Sequence, residues 1–187
     1  MKENTKSLFK ARLFLTTVVA LAIWTLLAWN YYYGGVPSHH VLARKDLPLI
    51  SNWWGAILLP MLTWFLTYVT AKRIERAGDP SAFTKAGVAF FIAIGYGALI
   101  ATFFTLGPKE FPGYLLQGIL ILAVFSPLFR AEYLLGFVLG MTYTFGAVLP
   151  LGIGSVLILL CLLIYHGVRQ VIKGISWLLG RGSAKKR

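Results

Sequence analysis

Residues 133–165, YLLGFVLGMTYTFGAVLPLGIGSVLILLCLLIY, form an apolar run without a single charge. A helix needs about 20 residues to cross the ~30 Å hydrocarbon core of a bilayer. This run is too long for one crossing and about long enough for two short ones. Pro150 and the glycines of residues 146–154 favour a tight turn in its middle. The run therefore predicts two consecutive membrane spans.

Four further apolar runs precede it, at residues 13–33, 50–71, 86–106 and 113–129. The last run then divides into spans at 132–149 and 151–167. The first run follows several basic residues, as in a signal peptide, but it is longer than the 7–15 apolar residues typical of one and has no small-residue cleavage site. We therefore predict an all-α, polytopic transmembrane helical bundle of six spans, a single domain over residues 1–187.

The composition supports a membrane protein. Hydrophobic residues make up 58% of the chain, charged residues only 13%, and the mean hydropathy is +0.73. Soluble domains carry about 25% charged residues. The net charge of +12 does not indicate nucleic-acid binding, because the basic residues flank the apolar runs instead of forming one patch. Such residues are typical contacts of anionic membrane lipids.

The distribution of basic residues predicts the orientation. With six spans and a cytoplasmic N-terminus, fifteen of the 18 Lys and Arg residues are cytoplasmic, and only Arg44, Lys45 and Lys109 lie on the other side. With five spans the basic residues would divide evenly between the two sides. Positively charged loops favour the cytoplasm. We therefore predict that both termini are cytoplasmic, in a multi-pass protein of the bacterial inner membrane.

The C-terminal residues are amphipathic. From 168 to 180, apolar side chains recur at helical spacing and Arg169, Gln170 and Lys173 occupy the other face. We predict a helix that lies on the cytoplasmic membrane surface or continues the sixth span out of the membrane. Residues 181–187 are predicted to be a disordered basic tail.

The first loop, residues 34–55 (GGVPSHHVLARKDLPLISNWWG), is the most heteroatom-rich segment of the chain. As a ligand site, Arg44 and the start of the second helix would hold phosphate or carboxylate, and Trp53 and Trp54 would cover an apolar tail. Asn52 adds a further polar group. This pattern predicts binding of a lipid or small amphiphile at the extracytoplasmic face.

The same loop contains candidates for catalysis. His39 and His40 could act as bases oriented by Asp46, because the pKa of imidazole lies near neutrality. His39, His40 and Asp46 could also bind a divalent metal as a cofactor, together with Glu110 from the connection between the third and fourth spans. The spacing matches no established metal motif.

Structural roles explain much of the same segment. Asp46 or Ser51 can cap the second helix, and the two tryptophans suit an interfacial aromatic belt. Three hypotheses for the function remain. Besides ligand binding, the second is a membrane-embedded, metal-assisted enzyme that uses the histidines and Asp46. The third is a structural or transport subunit. The partners expected are membrane lipids and either a second copy of the chain or a partner membrane subunit.

Two further patterns concern helix packing. Gly136 and Gly140 form a GxxxG pair on the fifth span, and Gly95 and Gly97 are similar small residues on the third. Arg130 and Glu132 flank the turn before the fifth span and suggest a salt bridge at the membrane interface.

Overall fold

The structure is a computed structural model that describes residues 2–36, 38–40, 49–108 and 110–184, with side chains described at 6–36, 51–108 and 110–177. It is all-α apart from one short ribbon. The elements are α1 (Lys2–Tyr32), β1 (Ser38–His40), β2 (Leu49–Ser51), a 3-10 turn (Asn52–Trp54), α2 (Gly55–Ala77), α3 (Ala82–Leu106), α4 (Phe111–Phe125), α5 (Ala131–Phe145) and α6 (Val148–Ala184).

Four helical segments in the described chain are long and apolar enough to cross a membrane: Lys6–Tyr32, Asn52–Ala77, Ala82–Leu106 and Val148–Trp177. The prediction of a membrane-embedded, all-α protein is thereby confirmed. Helices α4 and α5 have 15 residues each. They are therefore about 22 Å long, less than the hydrocarbon core. Pro127 follows α4 and Gly146 follows α5, and both residues interrupt helices.

Consecutive helices run in alternating directions. The indole Nε1 of Trp24, late in α1, donates a hydrogen bond to the carbonyl of Ala56, early in α2 (3.0 Å). Glu132, early in α5, pairs with Arg73, late in α2. The bundle thus has two ends. The N-terminal end carries the start of α1 and the turns 78–81 and 126–130, and the first-loop end carries residues 33–36 and 49–54 and the turn 146–147.

The core is built around α5. Val138 and Leu135 on this helix are 0% and 2% exposed, and α5 packs against α2, α3 and α6. Its tightest neighbour is α3, which runs parallel to it. A Cβ atom on Gly136 would lie 2.7 Å from the Cβ of Ala93, and one on Gly140 would lie 2.9 Å from the backbone nitrogen of Ala98. The two glycines therefore set the distance between the helices, as small residues do in membrane bundles.

Helix α6 is a single helix of 37 residues. At 1.5 Å per residue it is about 55 Å long, far more than one bilayer core requires. The amphipathic segment predicted at 168–180 is thus continuous with the last apolar helix. Helical structure also extends to Ala184, into the segment for which the sequence suggested disorder.

The turn between α2 and α3 is held by a local hydrogen-bond cluster. The carboxylate of Asp79 accepts hydrogen bonds from the backbone nitrogen of Ser81 (2.9 Å), from its hydroxyl (2.7 Å) and from the ammonium of Lys85 (3.0 Å). These bonds lower the pKa of Asp79 to about 2. The two bonds from Ser81 contribute most, followed by the bond from Lys85. Asp79 therefore stabilises the turn that leads into α3, in an Asx-type turn whose carboxylate binds the backbone two residues on.

Candidate functional site at the first-loop end

The ribbon β1–β2 places the two histidines beside the start of α2. The strands pair antiparallel, with His39 opposite Ile50 and His40 opposite Leu49. The histidine side chains lie outside the described part of the chain, and so do Arg44 and Asp46. Their predicted catalytic, metal-binding and ligand-binding roles remain predictions.

Glu110, the fourth candidate metal ligand, has an exposed side chain in the residue before α4. Among the described residues there is no group of three His, Cys, Asp or Glu side chains that could hold a metal ion. This finding does not test the predicted set, because three of its four side chains are outside the description.

The start of α2 is built by a capped 3-10 turn. Ser51 accepts a hydrogen bond from the backbone nitrogen of Trp53 through its side-chain oxygen (3.4 Å). The capping role proposed for Ser51 thus applies to the turn that leads into α2. The capped turn directs Asn52 toward the bundle.

Trp53 and Trp54 face outward, with exposed fractions of 51% and 64%. The ring of Trp53 lies 6.3 Å from that of Tyr31, edge to face. Trp29 and Tyr33 stack beside them at 4.3 Å. Exposed Trp and Tyr side chains at one end of an apolar bundle form the aromatic belt typical of a membrane interface.

Asn52 lines a small cavity, here called the first-loop cavity, of about 100 Å³. The cavity lies between the end of α1, the 3-10 turn and the turn from α5 to α6. Its polar lining comes from amides and hydroxyls, and its apolar lining from α1 and the turn; the described residues include Asn30, Asn52, Thr142, Thr144, Ile23 and Ala147. Trp53 and Trp54 are not part of this lining.

Gly146 lines the first-loop cavity next to Asn52. Its backbone, with φ 71° and ψ −170°, lies in a region that is essentially restricted to glycine. A Cβ atom on residue 146 would overlap with Oδ1 of Asn52. The Asn52 amide thus occupies the space that a Cβ atom would take at residue 146, and it is half-buried.

The described polar groups of this cavity are uncharged and can form hydrogen bonds. Amide groups both donate and accept, and a hydroxyl that donates still has lone pairs to accept with. Thr142 Oγ1 donates to the carbonyl of Val138 (2.7 Å), so its free lone pairs make it an acceptor toward the cavity. The arrangement suits hydroxyl, amide or glycerol groups on an otherwise apolar molecule.

Sequence reasoning found Asn52 but missed Asn30, Thr142 and Thr144. A partial signal was available. Asn30 is the last polar residue before the Tyr cluster that ends α1, and both threonines directly precede the Gly146 turn. Nothing in the sequence shows that these two helix ends meet.

A second polar cluster lies at the N-terminal end. Glu132, only 5% exposed, pairs with Arg73 at 2.6 Å and accepts a hydrogen bond from Thr70 at 3.5 Å. The suggested pairing of Glu132 with Arg130 is therefore wrong. Arg130 is the extended residue just before α5, and Glu132 lies on the side of α5 that packs against α2.

Comparison with protein-family models, with curated proteins and with solved structures gives no match to this chain. The functional argument therefore depends on the residues of the two ends of the bundle.

Proposed function

We propose that this protein spans the bacterial inner membrane six times with both termini in the cytoplasm. The alternation of helix direction supports this topology, since it puts the start of α1 and the extension of α6 at one end. The short helices α4 and α5 then cross the membrane as a pair, and their limited length is accommodated by local thinning of the bilayer.

In this topology the first-loop end faces the extracytoplasmic side. We propose that it binds a small amphiphile, with the polar group in the first-loop cavity and the apolar part along α1. The observation that carries the proposal is Asn52, whose amide is held against Gly146 in a cavity with Asn30 and Thr142. Ligand sites combine a mostly apolar lining with a few fixed polar groups.

The aromatic belt supports the location. Trp53 and Trp54 directly follow Asn52 and are exposed at the level where lipid headgroups meet the acyl region. An amphiphile at this depth has its polar group within reach of the cavity and its chain in the bilayer. Arg44, on the same loop, would add affinity for an anionic group.

Native mass spectrometry of the protein purified from membranes tests this function. We expect the wild type to retain a co-purified amphiphile. Asn52→Leu removes the central amide and leaves the polar group of the ligand without a hydrogen-bond partner. This loss costs roughly 1–3 kcal/mol of binding free energy, so the bound fraction should fall about tenfold. Gln117→Leu is the matched control, because it also replaces an amide by Leu, at an exposed position on α4. Equal retention by both variants would contradict the proposed site.

A further inference from the structure

A second cavity, here called the N-terminal cavity, lies at the opposite end of the bundle from Asn52. It has a volume of about 160 Å³ and lies between α1, α2, α3 and α5, open on one side. Most of its lining is apolar, from Leu8, Leu15, Phe83, Phe90 and Leu135. Its polar groups are Arg12, Thr67, Thr70 and Glu132.

Arg12 has a buried donor without an acceptor. Its guanidinium stacks on the rings of Trp64 (4.3 Å) and Tyr68 (4.9 Å), and Nη2 donates to the carbonyl of Trp64 (3.4 Å). Its Nε is buried and has no hydrogen-bond partner among the described residues. A ligand cannot reach the buried Nε, so a bound acceptor would contact the Nη side of the guanidinium, which is exposed.

Arg12 also provides the unbalanced charge of this cavity. Glu132 is neutralised by Arg73 at 2.6 Å. In the described part of the chain, no carboxylate lies within ion-pair distance of Arg12. The described lining thus carries one uncompensated positive charge, which favours an anion.

We propose that the N-terminal cavity binds an anionic membrane lipid. A phosphate oxygen accepts a hydrogen bond from the exposed Nη side of the Arg12 guanidinium, and one acyl chain packs against Leu15, Phe83 and Phe90. The apolar lining distinguishes a lipid from free phosphate, because a free ion would leave that surface uncovered. Exposed basic residues around this end, including Lys72 and Lys85, enrich anionic lipid there.

The stack of Arg12 on Trp64 and Tyr68 contributes to specificity. A planar guanidinium held between aromatic rings keeps a fixed orientation and forms directional hydrogen bonds to phosphate. Lys at the same position would preserve the charge but lose this geometry. This site is independent of the proposed function, since the two cavities lie at opposite ends of the bundle.

Titration of the purified full-length protein with lipid, followed by native mass spectrometry, tests the charge requirement. We expect dioleoylphosphatidylglycerol to bind at least tenfold more tightly than dioleoylphosphatidylcholine. Arg12→Gln should abolish this preference, and Arg12→Lys should recover only part of it. Lys10→Gln is the matched control: it removes one positive charge from the same helix at an exposed position and should change affinity less than twofold.

A steric variant tests the cavity without altering any charge. A Cβ atom on Gly87, which lines the cavity, would meet nothing within 4 Å, so Gly87→Leu starts from open space and adds apolar volume at the cavity. Gly95→Leu is its control, because Gly95 is also open but lies outside the lining. We expect Gly87→Leu to lose phosphatidylglycerol binding and Gly95→Leu to retain it.

Three results would overturn this inference. The first is equal weakening by Arg12→Gln and Lys10→Gln, which would indicate general attraction by charge. The second is full phosphatidylglycerol binding by Gly87→Leu. The third is displacement of the lipid by millimolar inorganic phosphate, which would identify a site for the free ion.

Discussion

Gly146 is the residue on which the geometry of the first-loop cavity depends most. Its φ of 71° with ψ of −170° is disfavoured for any residue with a Cβ, at a cost of about 1–3 kcal/mol. We expect Gly146→Ala to lower the thermal stability of the purified protein and to displace Asn52. Gly152→Ala, at an open position nearby, should leave stability unchanged. If the two variants melt alike in detergent, the contact between residue 146 and Asn52 does not hold the cavity together.

The contribution of Asp79 to the stability of the fold depends on pH. Its pKa is lowered to about 2, mainly by the hydrogen bonds from Ser81. A depressed carboxyl pKa stabilises the fold above the unfolded value of about 3.9, and this contribution is lost as the pH falls through about 2. Ser81→Ala should therefore raise the pKa of Asp79 toward the unfolded value. A carboxyl titration by NMR measures the shift, and an unchanged pKa would mean that the Ser81 hydroxyl does not lower it.

At the scale of helices, the pair α3–α5 determines how closely the bundle packs. Gly136 and Gly140 touch the backbone of α3, whereas Gly95 faces open space. We expect Gly140→Ala to push the helices apart and cost about 1–3 kcal/mol, as overpacking does. Gly95→Ala should be neutral. The transition to the unfolded state in SDS measures both variants, and a neutral Gly140→Ala would show that the helices are not in close contact there.

Particular elements show how much of the fold the sequence predicts. The length and the glycines of the charge-free run indicate that a break separates α5 from α6, because a helix break is a local property. The break lies at residues 146–147, before the predicted boundary at Pro150, which stands in the first turn of α6. The GxxxG pair on α5 is predicted, yet the sequence does not distinguish Gly97, which packs against α5, from Gly95, which does not. Which faces of two helices meet is decided by the whole bundle.

Within the candidate site, Asn52 has a local sequence signal, whereas the other polar residues do not. Asn52 stands out because it is a polar residue beside two tryptophans in an apolar chain. Asn30, Thr142 and the Arg73–Glu132 pair acquire their roles from contacts between helices distant in sequence. Uniformly apolar helices offer little periodicity from which such contacts could be inferred.

For the whole molecule, the alternating helix directions lead to a prediction of topology. In a Cys161→Ala background, Ala43→Cys should react with a membrane-impermeant maleimide on intact cells. Ser126→Cys and Ala184→Cys should react only after permeabilisation. Cys161→Ala alone is the unlabelled control. Labelling of Ala184→Cys from outside would overturn the orientation. Protection of Ser126→Cys after permeabilisation would mean that α4 and α5 do not complete their crossings.

The central claim is that the first-loop cavity binds the polar group of an amphiphile, and photo-crosslinking tests it most directly. The protein in nanodiscs is exposed to a monoacylglycerol with a photoactivatable group next to its headgroup, and the adducts are mapped by mass spectrometry. We predict adducts concentrated at residues 23–30 and 142–147, lost in Asn52→Leu and retained in Gln117→Leu. Adducts spread evenly over lipid-exposed positions such as Phe91 and Ile92, and unchanged in Asn52→Leu, would contradict the claim.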